Sequence, residues 1–292
     1  MKNYLRFWGT RGSCPVSGAP YRVYGGNTCC LEVRYGNVLM IMDAGTGIRQ
    51  LGDYLKLNQQ DTHIHLFLGH THWDHIIGFP FFEPIYHPGT HITLWAPAQG
   101  GKVCRDLFKD LLSTDFFPIR LEQVRATLEF RTTQPKTPVE IPPLSVDFHL
   151  TQHPGISHCF KIKTPNQTIG YVTDNEMLLG YHGPLAEITP EAIEPHLDLI
   201  EFLAPCDILV HEAQYSAEEY IQKVGWGHSS ISNAAALLQK TQVSQWYVLH
   251  HDPKHTDADL DFFQTTAKKI LKENNVACRV EWLRDMHQIE LF

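Results

Sequence analysis

The stretch GHTHWDHIIGFP, residues 69 to 80, places His70, His72, Asp74 and His75 within six consecutive positions. With 18 histidines in 292 residues, the pattern H-x-H-x-D-H arises in about one shuffled chain in 300, so its context decides what it means. That context is a strand. In HIHLFLGH, Ile64, Leu66 and Leu68 share one face while His63, His65 and Phe67 share the other, the period-two alternation of β structure. The polar cluster therefore opens where a strand closes.

The same arrangement recurs along the chain. YLRFWGT, CCLEVRYG, VLMIMDAGTG, TIGYVTDNE, CDILVHEAQY and QWYVLHHDP all read as strands, and five strand-like segments run into a candidate ligand or acid: Asp43, His70, Asp174, His211 and His250. Between them fall helical signals at 101 to 113, at SSISNAAALLQK with a serine cap at Ser229 or Ser230, and from Asp257 to Asn274. The last of these begins acidic and ends basic, as the helix dipole favours. QPKTPVEIPP reads as a proline-rich surface turn. Strands and helices alternate without a low-complexity linker, which predicts one α/β domain over 1–292. Its site should lie along the sheet edge where the strand ends meet.

Composition narrows the class of partner. The chain carries 32 acidic against 24 basic residues, a formal charge of −8. This argues against the clustered basic footprint that a sequence-independent grip on nucleic acid needs. Seven cysteines are scattered without a C-x-x-C pair, and Cys29 and Cys30 are adjacent. They read as reduced thiols in a cytoplasmic protein. The opening MKNYLRFWGTRGSCPV has no apolar core of signal-peptide length, and no run of about 18 apolar residues suggests a membrane span.

Imidazole nitrogen and carboxylate oxygen both suit zinc and its first-row neighbours. A single tetrahedral ion would leave ligands over, whereas two ions about 3.5 to 4 Å apart need a bridging carboxylate and a set of this size. Further candidates are His153 of LTQHPG, with His158 as a nearby competitor, Asp174 of YVTDN, and the adjacent His250 and His251 of VLHHDP. Asp43 reads as an acceptor that orients a ligand histidine from behind.

The series H-x-H-x-D-H, a later His, an Asp at a strand end and a final His resembles the metallo-β-lactamase fold superfamily, most closely the phosphodiesterase branch that includes tRNase Z. FWGTRGSCP, GGNTCCLEV, MDAGTG, VHEAQY and GHSS resemble that branch's segments over nearly the whole chain. The resemblance implies a four-layer αββα sandwich. It implies two divalent ions, expected to be Zn²⁺ with Mn²⁺ or Fe²⁺ as alternatives. His70, His72 and His153 would hold one ion, Asp74, His75 and His250 the other, and Asp174 would bridge them. His250 is preferred to His251 because it stands three residues before Pro253, as the family's last ligand tends to.

The implied reaction is hydrolysis at phosphorus by a metal-bridging hydroxide. Catalytic work would fall to Asp74 and to His211 with Glu212, an imidazole oriented by a carboxylate that protonates the leaving group. His228, at the start of a helix, would hold a phosphoryl oxygen.

Two departures matter. Only 20 residues separate His153 from Asp174, too few for the exosite arm with which tRNase Z grips tRNA, and Gln214 stands where the family's His-Glu-Ala-Thr loop has threonine. The expected substrate is thus a small phosphodiester, such as a cyclic nucleotide, with neither nucleic acid nor a membrane as partner. A homodimer is left open. Rival readings are a lactone or thioester hydrolase on the same fold, a catalytically silent metal-bound sensor, and an RNA endonuclease.

Overall fold

ILVH at 208–211 is buried at every position, the continuous apolar run expected of a parallel strand covered on both faces. Such strands organise the computed structural model, which describes residues 3–58, 63–204 and 206–292. Met1 and Lys2 of the opening segment lie outside the described residues. In chain order the described strands are β1 (Tyr4–Gly9), β2 (Cys30–Tyr35), β3 (Val38–Met42), β4 (His63–Phe67), β5 (His91–Ala96), β6 (Thr127–Thr132), β7 (Val139–Ile141), β8 (Leu144–Leu150), β9 (His158–Lys163), β10 (Thr168–Val172), β11 (Ile208–His211), β12 (Gln245–Val248), β13 (Arg279–Trp282) and β14 (Gln288–Glu290). The chain divides into two compact units, each built on its own sheet. The first comprises Met1–Val16, Gly25–Gln134 and Arg284–Phe292, the second Ser17–Tyr24 and Pro135–Leu283.

The first unit's sheet runs β14-β1-β2-β3-β4-β5-β6. Its pairings are antiparallel from β14 to β3 and parallel from β3 to β6. The parallel crossovers carry the helices α1 (Gly47–Asn58), α2 (Trp73–Ile76) and α3 (Cys104–Leu111). Helix α1 turns Ile48, Leu51 and Leu55 onto Ile41, Ile64, Leu66, Ile92 and Leu94 of the sheet, and burying each such side chain contributes roughly 1.5–3 kcal/mol. At the first strands, the buried Glu32 carboxylate accepts from Tyr4 and Trp8 and pairs with Arg34, so its charge is compensated rather than stranded.

The second unit repeats the plan with different sequence. Its sheet runs β7-β8-β9-β10-β11-β12-β13, antiparallel from β7 to β10 and parallel from β10 to β13. The helix Ile231–Thr241 is capped by Ser230, whose side chain accepts from Asn233 N, and nearly all of it is buried. The helix Asp257–Glu273 starts in a capping box between Thr256 and Asp259 and buries Leu260, Phe263, Ala267 and Leu271 at the helical spacing of one apolar stripe.

Several boundaries differ from the sequence reading. The helix expected at 101 to 113 is confined to Cys104–Leu111. The proline-rich turn contains β7, which pairs with β8 at the sheet edge, where a strand flanked by proline is tolerated. Of the five residues expected to end strands, His211 does so, whereas Asp43, His70, Asp174 and His250 lie one to three residues beyond. The seven cysteines are free thiols. Among the described residues no helix is long and apolar enough to cross a membrane.

His158, at the start of β9, is buried against Phe148, and burial pushes its imidazole down from 6.5 to about 4. The folded state therefore favours the neutral ring: its contribution is present above about pH 6.5 and fades as pH falls towards 4. Urea unfolding should show roughly 1–2 kcal/mol of acid destabilisation at about pH 4.5 from this group, after allowance for solvent screening. His158→Phe should remove that part of the pH dependence; an unchanged acid limb would contradict the assignment.

Candidate metal centre

In the first unit the H-x-H-x-D-H loop leaves β4 at the carboxyl end of the parallel strands. Asp43 leaves the adjacent β3 at the same edge, in the left-handed region with φ 63°. The two segments are stitched by backbone bonds: Asp43 N to Phe67 O, Ala44 N to His75 O, and Gly78 N to Ala44 O. Gly78 is required by this closeness, since a Cβ there would lie 2.0 Å from Gly45 O. The glycines of MDAGTG and IIGFP thus let two loops touch at backbone distance.

The histidine rings gather at this edge, with His70 4.4 Å from both His72 and His75 between centroids. His75 Nδ1 lies 3.1 Å from Asp43 Oδ2, and His75 Nε2 lies 3.3 Å from Asp74 Oδ2. Ser13 N donates to the same Asp74 oxygen at 2.7 Å. His75 thus has a carboxylate near each ring nitrogen, so in a neutral ring one nitrogen turns a lone pair towards a carboxylate. Two acceptors face one another, an arrangement that a cation between them stabilises.

The second unit holds the same motif in other residues. His153 Nδ1 donates to Gly227 O at 3.0 Å, and its Nε2 lies 3.7 Å from Asp174 Oδ2. His250 Nε2 lies 3.4 Å from the other oxygen, Asp174 Oδ1. The carboxylate of Asp174 thus has an imidazole near each of its oxygens. His250 is also in the left-handed region, at φ 63°, and the Gln214 amide stands 3.5 Å from its Nδ1. His251 points elsewhere, with Nε2 bonded to Leu283 O. His158, the competitor of His153, sits on β9 against Phe148. These imidazole nitrogens and carboxylate oxygens are donors of the kind that divalent first-row ions take.

Around Asp174 lies a buried polar layer that the sequence reading only partly found. Asp174, Asn175 and Glu176 follow β10 and are each at most 2% exposed. Three consecutive polar residues behind an apolar strand were a legible signal. The Glu176 carboxylate accepts from Tyr220 Oη, Gly225 N and Gly227 N, fixing the loop whose Gly227 carbonyl holds His153. Ser229 Oγ donates to Asn175 O and accepts from Met177 N.

His211 and Glu212 do not form the expected pair. The His211 ring donates from Nδ1 to the backbone carbonyl of Glu212 at 2.5 Å and meets the Asn175 side chain through Nε2 at 3.1 Å. It is fully buried, and burial pushes it down to about 4. The Glu212 carboxylate points away and accepts from Ser229 N, Gln214 N and Asn175 N. Burial raises its titration well above the ordinary range against the pull of those amides. The reason is geometric: β11 ends at His211, and Glu212, the first residue past it, turns its side chain to the amides of Ser229, Gln214 and Asn175. His228 is instead the ring that the second unit brings to Asp174 and His250: it stacks on His250 at 4.9 Å, and one donor atom each of Asp174, His228 and His250 lie within 4.8 Å of one another.

Comparison with known proteins follows the same outline. The profile described as Beta-lactamase superfamily domain matches residues 39–251. Ribonuclease Z of Lactobacillus gasseri is 22% identical, the match covering 82% of this chain and 86% of the relative. Among solved structures, the metallo-beta-lactamase fold protein YhfI from Bacillus subtilis superposes with a TM-score of 0.69 at 15% identity over 100% of both chains. Unliganded yeast PDE1 superposes with a TM-score of 0.67 at 13% identity, again over 100% of both. These likenesses show the fold, and it is the α/β fold that the sequence resemblance implied.

Glu212→Gln separates a structural from a catalytic role. An amide in place of the carboxylate sets donor against donor at one of three backbone amides, so unfolding should cost about 1–3 kcal/mol less and Tm should fall by several degrees. A Tm equal to that of the parent, with activity lost, would restore the catalytic assignment.

Proposed function

Because this chain belongs to the β-lactamase superfamily, we propose that it is a dinuclear metal-dependent phosphodiesterase acting on a small phosphodiester. The single observation that carries the reading is the repeated placement of an imidazole nitrogen opposite a carboxylate: His75 facing Asp74, and His153 and His250 facing Asp174. In this reading His70, His72 and His153 serve one ion, Asp74, His75 and His250 the other, and Asp174 both. The family profile runs unbroken through both halves of that set, which supports one working domain over 1–292.

Two bound divalent ions would supply a hydroxide near neutral pH and neutralise charge on the phosphoryl oxygens. The protein's own residues prepare that chemistry. Asp43 stands 3.1 Å from His75 Nδ1 and Gly227 O accepts from His153 Nδ1, contacts that would hold these rings in place as ligands. His228 stands beside Asp174 and His250, ahead of the helix Ile231–Thr241, where it can hold a phosphoryl oxygen or give a proton to the departing alkoxide. The proton-donor role expected for His211 and Glu212 passes to His228 in this proposal, since both nitrogens of His211 are engaged by Glu212 O and Asn175.

A second reading, an RNA endonuclease, is favoured by the curated relative named Ribonuclease Z. The short His153 to Asp174 spacing and the net charge of −8 favour the small substrate. Steep salt dependence of RNA affinity would reverse that preference.

Elemental analysis should find about two divalent ions per chain, and the loaded protein should hydrolyse bis(para-nitrophenyl) phosphate. Asp174→Ala should lower both metal content and turnover, the latter by at least about a thousandfold. Cleavage of a lactone or thioester with no action on phosphodiesters would show the reaction class to be wrong, and binding of a phosphodiester without turnover would favour the sensor.

A further inference from the structure

Helix α2 spans four residues and has two different sides. Asp74 and His75 are buried and engaged with Ser13 and Asp43. Trp73 is 67% exposed, and with Ile76 and Ile77, three and four positions on, it shares the opposite side of the turn. That side forms one wall of a cavity of about 430 Å³, closed by Phe81, Phe116 and Phe117 among others. Phe81 and Phe117 meet edge to face at 5.4 Å and 85°, so part of the wall is already set. Phe81 and Phe116 nevertheless remain 54% and 73% exposed. Exposed aromatic rings converging on one concave space mark a binding surface rather than ordinary scatter.

The chemistry of the wall selects its occupant. Aromatic and aliphatic side chains predominate, and the acidic member, Asp110, is paired with Lys102 and would repel an anion. The volume is that of a small-molecule pocket. Thr71 and Trp73, which stand between the motif residues His70, His72 and Asp74, belong to the lining, so the cavity begins at the loop proposed to hold metal.

We propose that this cavity receives a neutral, flat aromatic group attached to the phosphodiester, stacked among Trp73, Phe81 and Phe116, while the phosphoryl group lies at the H-x-H-x-D-H loop. The inference rests on the phosphodiesterase reading and narrows it to diesters that carry an aromatic ring. Such stacking selects ring over alkyl through binding rather than through the chemical step.

Titration calorimetry of the metal-loaded full chain with phenylphosphonate and with methylphosphonate tests this without turnover. The expected Kd for phenylphosphonate is lower by about tenfold. Phe116→Ala and Phe81→Ala, both at exposed positions, should each narrow the ratio severalfold while Tm holds. Equal affinities, or a ratio that neither variant narrows, overturns the inference even if bis(para-nitrophenyl) phosphate is hydrolysed, and leaves the phosphodiesterase reading standing. A ratio that the variants narrow, with no diester hydrolysed, supports the aromatic pocket and overturns the reaction class. A dimer that Phe116→Ala dissociates, with the ratio untouched, assigns the cavity to a second copy of the chain and overturns the ligand reading.

Discussion

A neutral imidazole has one donor and one acceptor, and committing the donor determines where the acceptor points. His153 gives its Nδ1 proton to Gly227 O, and His75 stands with a carboxylate near each of its nitrogens. Each therefore presents Nε2 to a carboxylate, Asp74 in one unit and Asp174 in the other. Lone pairs in that relation repel unless positive charge stands between them, and burial strengthens the repulsion. Much of the surrounding structure maintains this arrangement: the backbone stitching of Asp43 to the motif loop, the close passage of Gly78 over Gly45, and the three donors that Glu176 gathers to hold the Gly227 loop.

The parts of the site that were legible in the sequence are those whose chemistry is contiguous. H-x-H-x-D-H declares itself because four donors fall in six positions after an alternating strand, and Asp43 because an acid follows VLMIM directly. Gly227 could not be found that way. Its contribution is a carbonyl, which every residue possesses, and it reaches His153 across 74 positions. The choice of His250 over His251 rested on the proline three residues on, and φ 63° at His250 accompanies the divergence of the two rings, His251 reaching Leu283 O instead. The pairing of His211 with Glu212 failed at the end of β11: Glu212, the first residue past the strand, turned to three amides while His211 turned to a carbonyl and an asparagine.

The fold was legible in kind but not in its regularity. Alternating strands and helices predict an α/β chain, yet each unit follows the same plan, three antiparallel pairings and then three parallel ones. No sequence repeat announces this. A strand interior asks only for apolar residues that fit a pleated surface, so one topology tolerates unrelated sequences. The donors nonetheless fall at equivalent places. Asp43 and the motif loop follow β3 and β4, and Asp174, Glu212 and His250 follow β10, β11 and β12, the carboxyl ends at which open parallel sheets place their ligands.

Asp43 and His250 share one further property, a backbone in the left-handed region at φ 63°. A residue with a Cβ gives up roughly 1 kcal/mol or more to sit there, and glycine does not. Glycine at either place would relieve that strain, and it would remove the side chain that faces His75 or the imidazole that faces Asp174. The strain is thus stored at two positions whose side chains are buried and engaged, Asp43 also accepting from Gly69 N and His250 meeting the Gln214 amide.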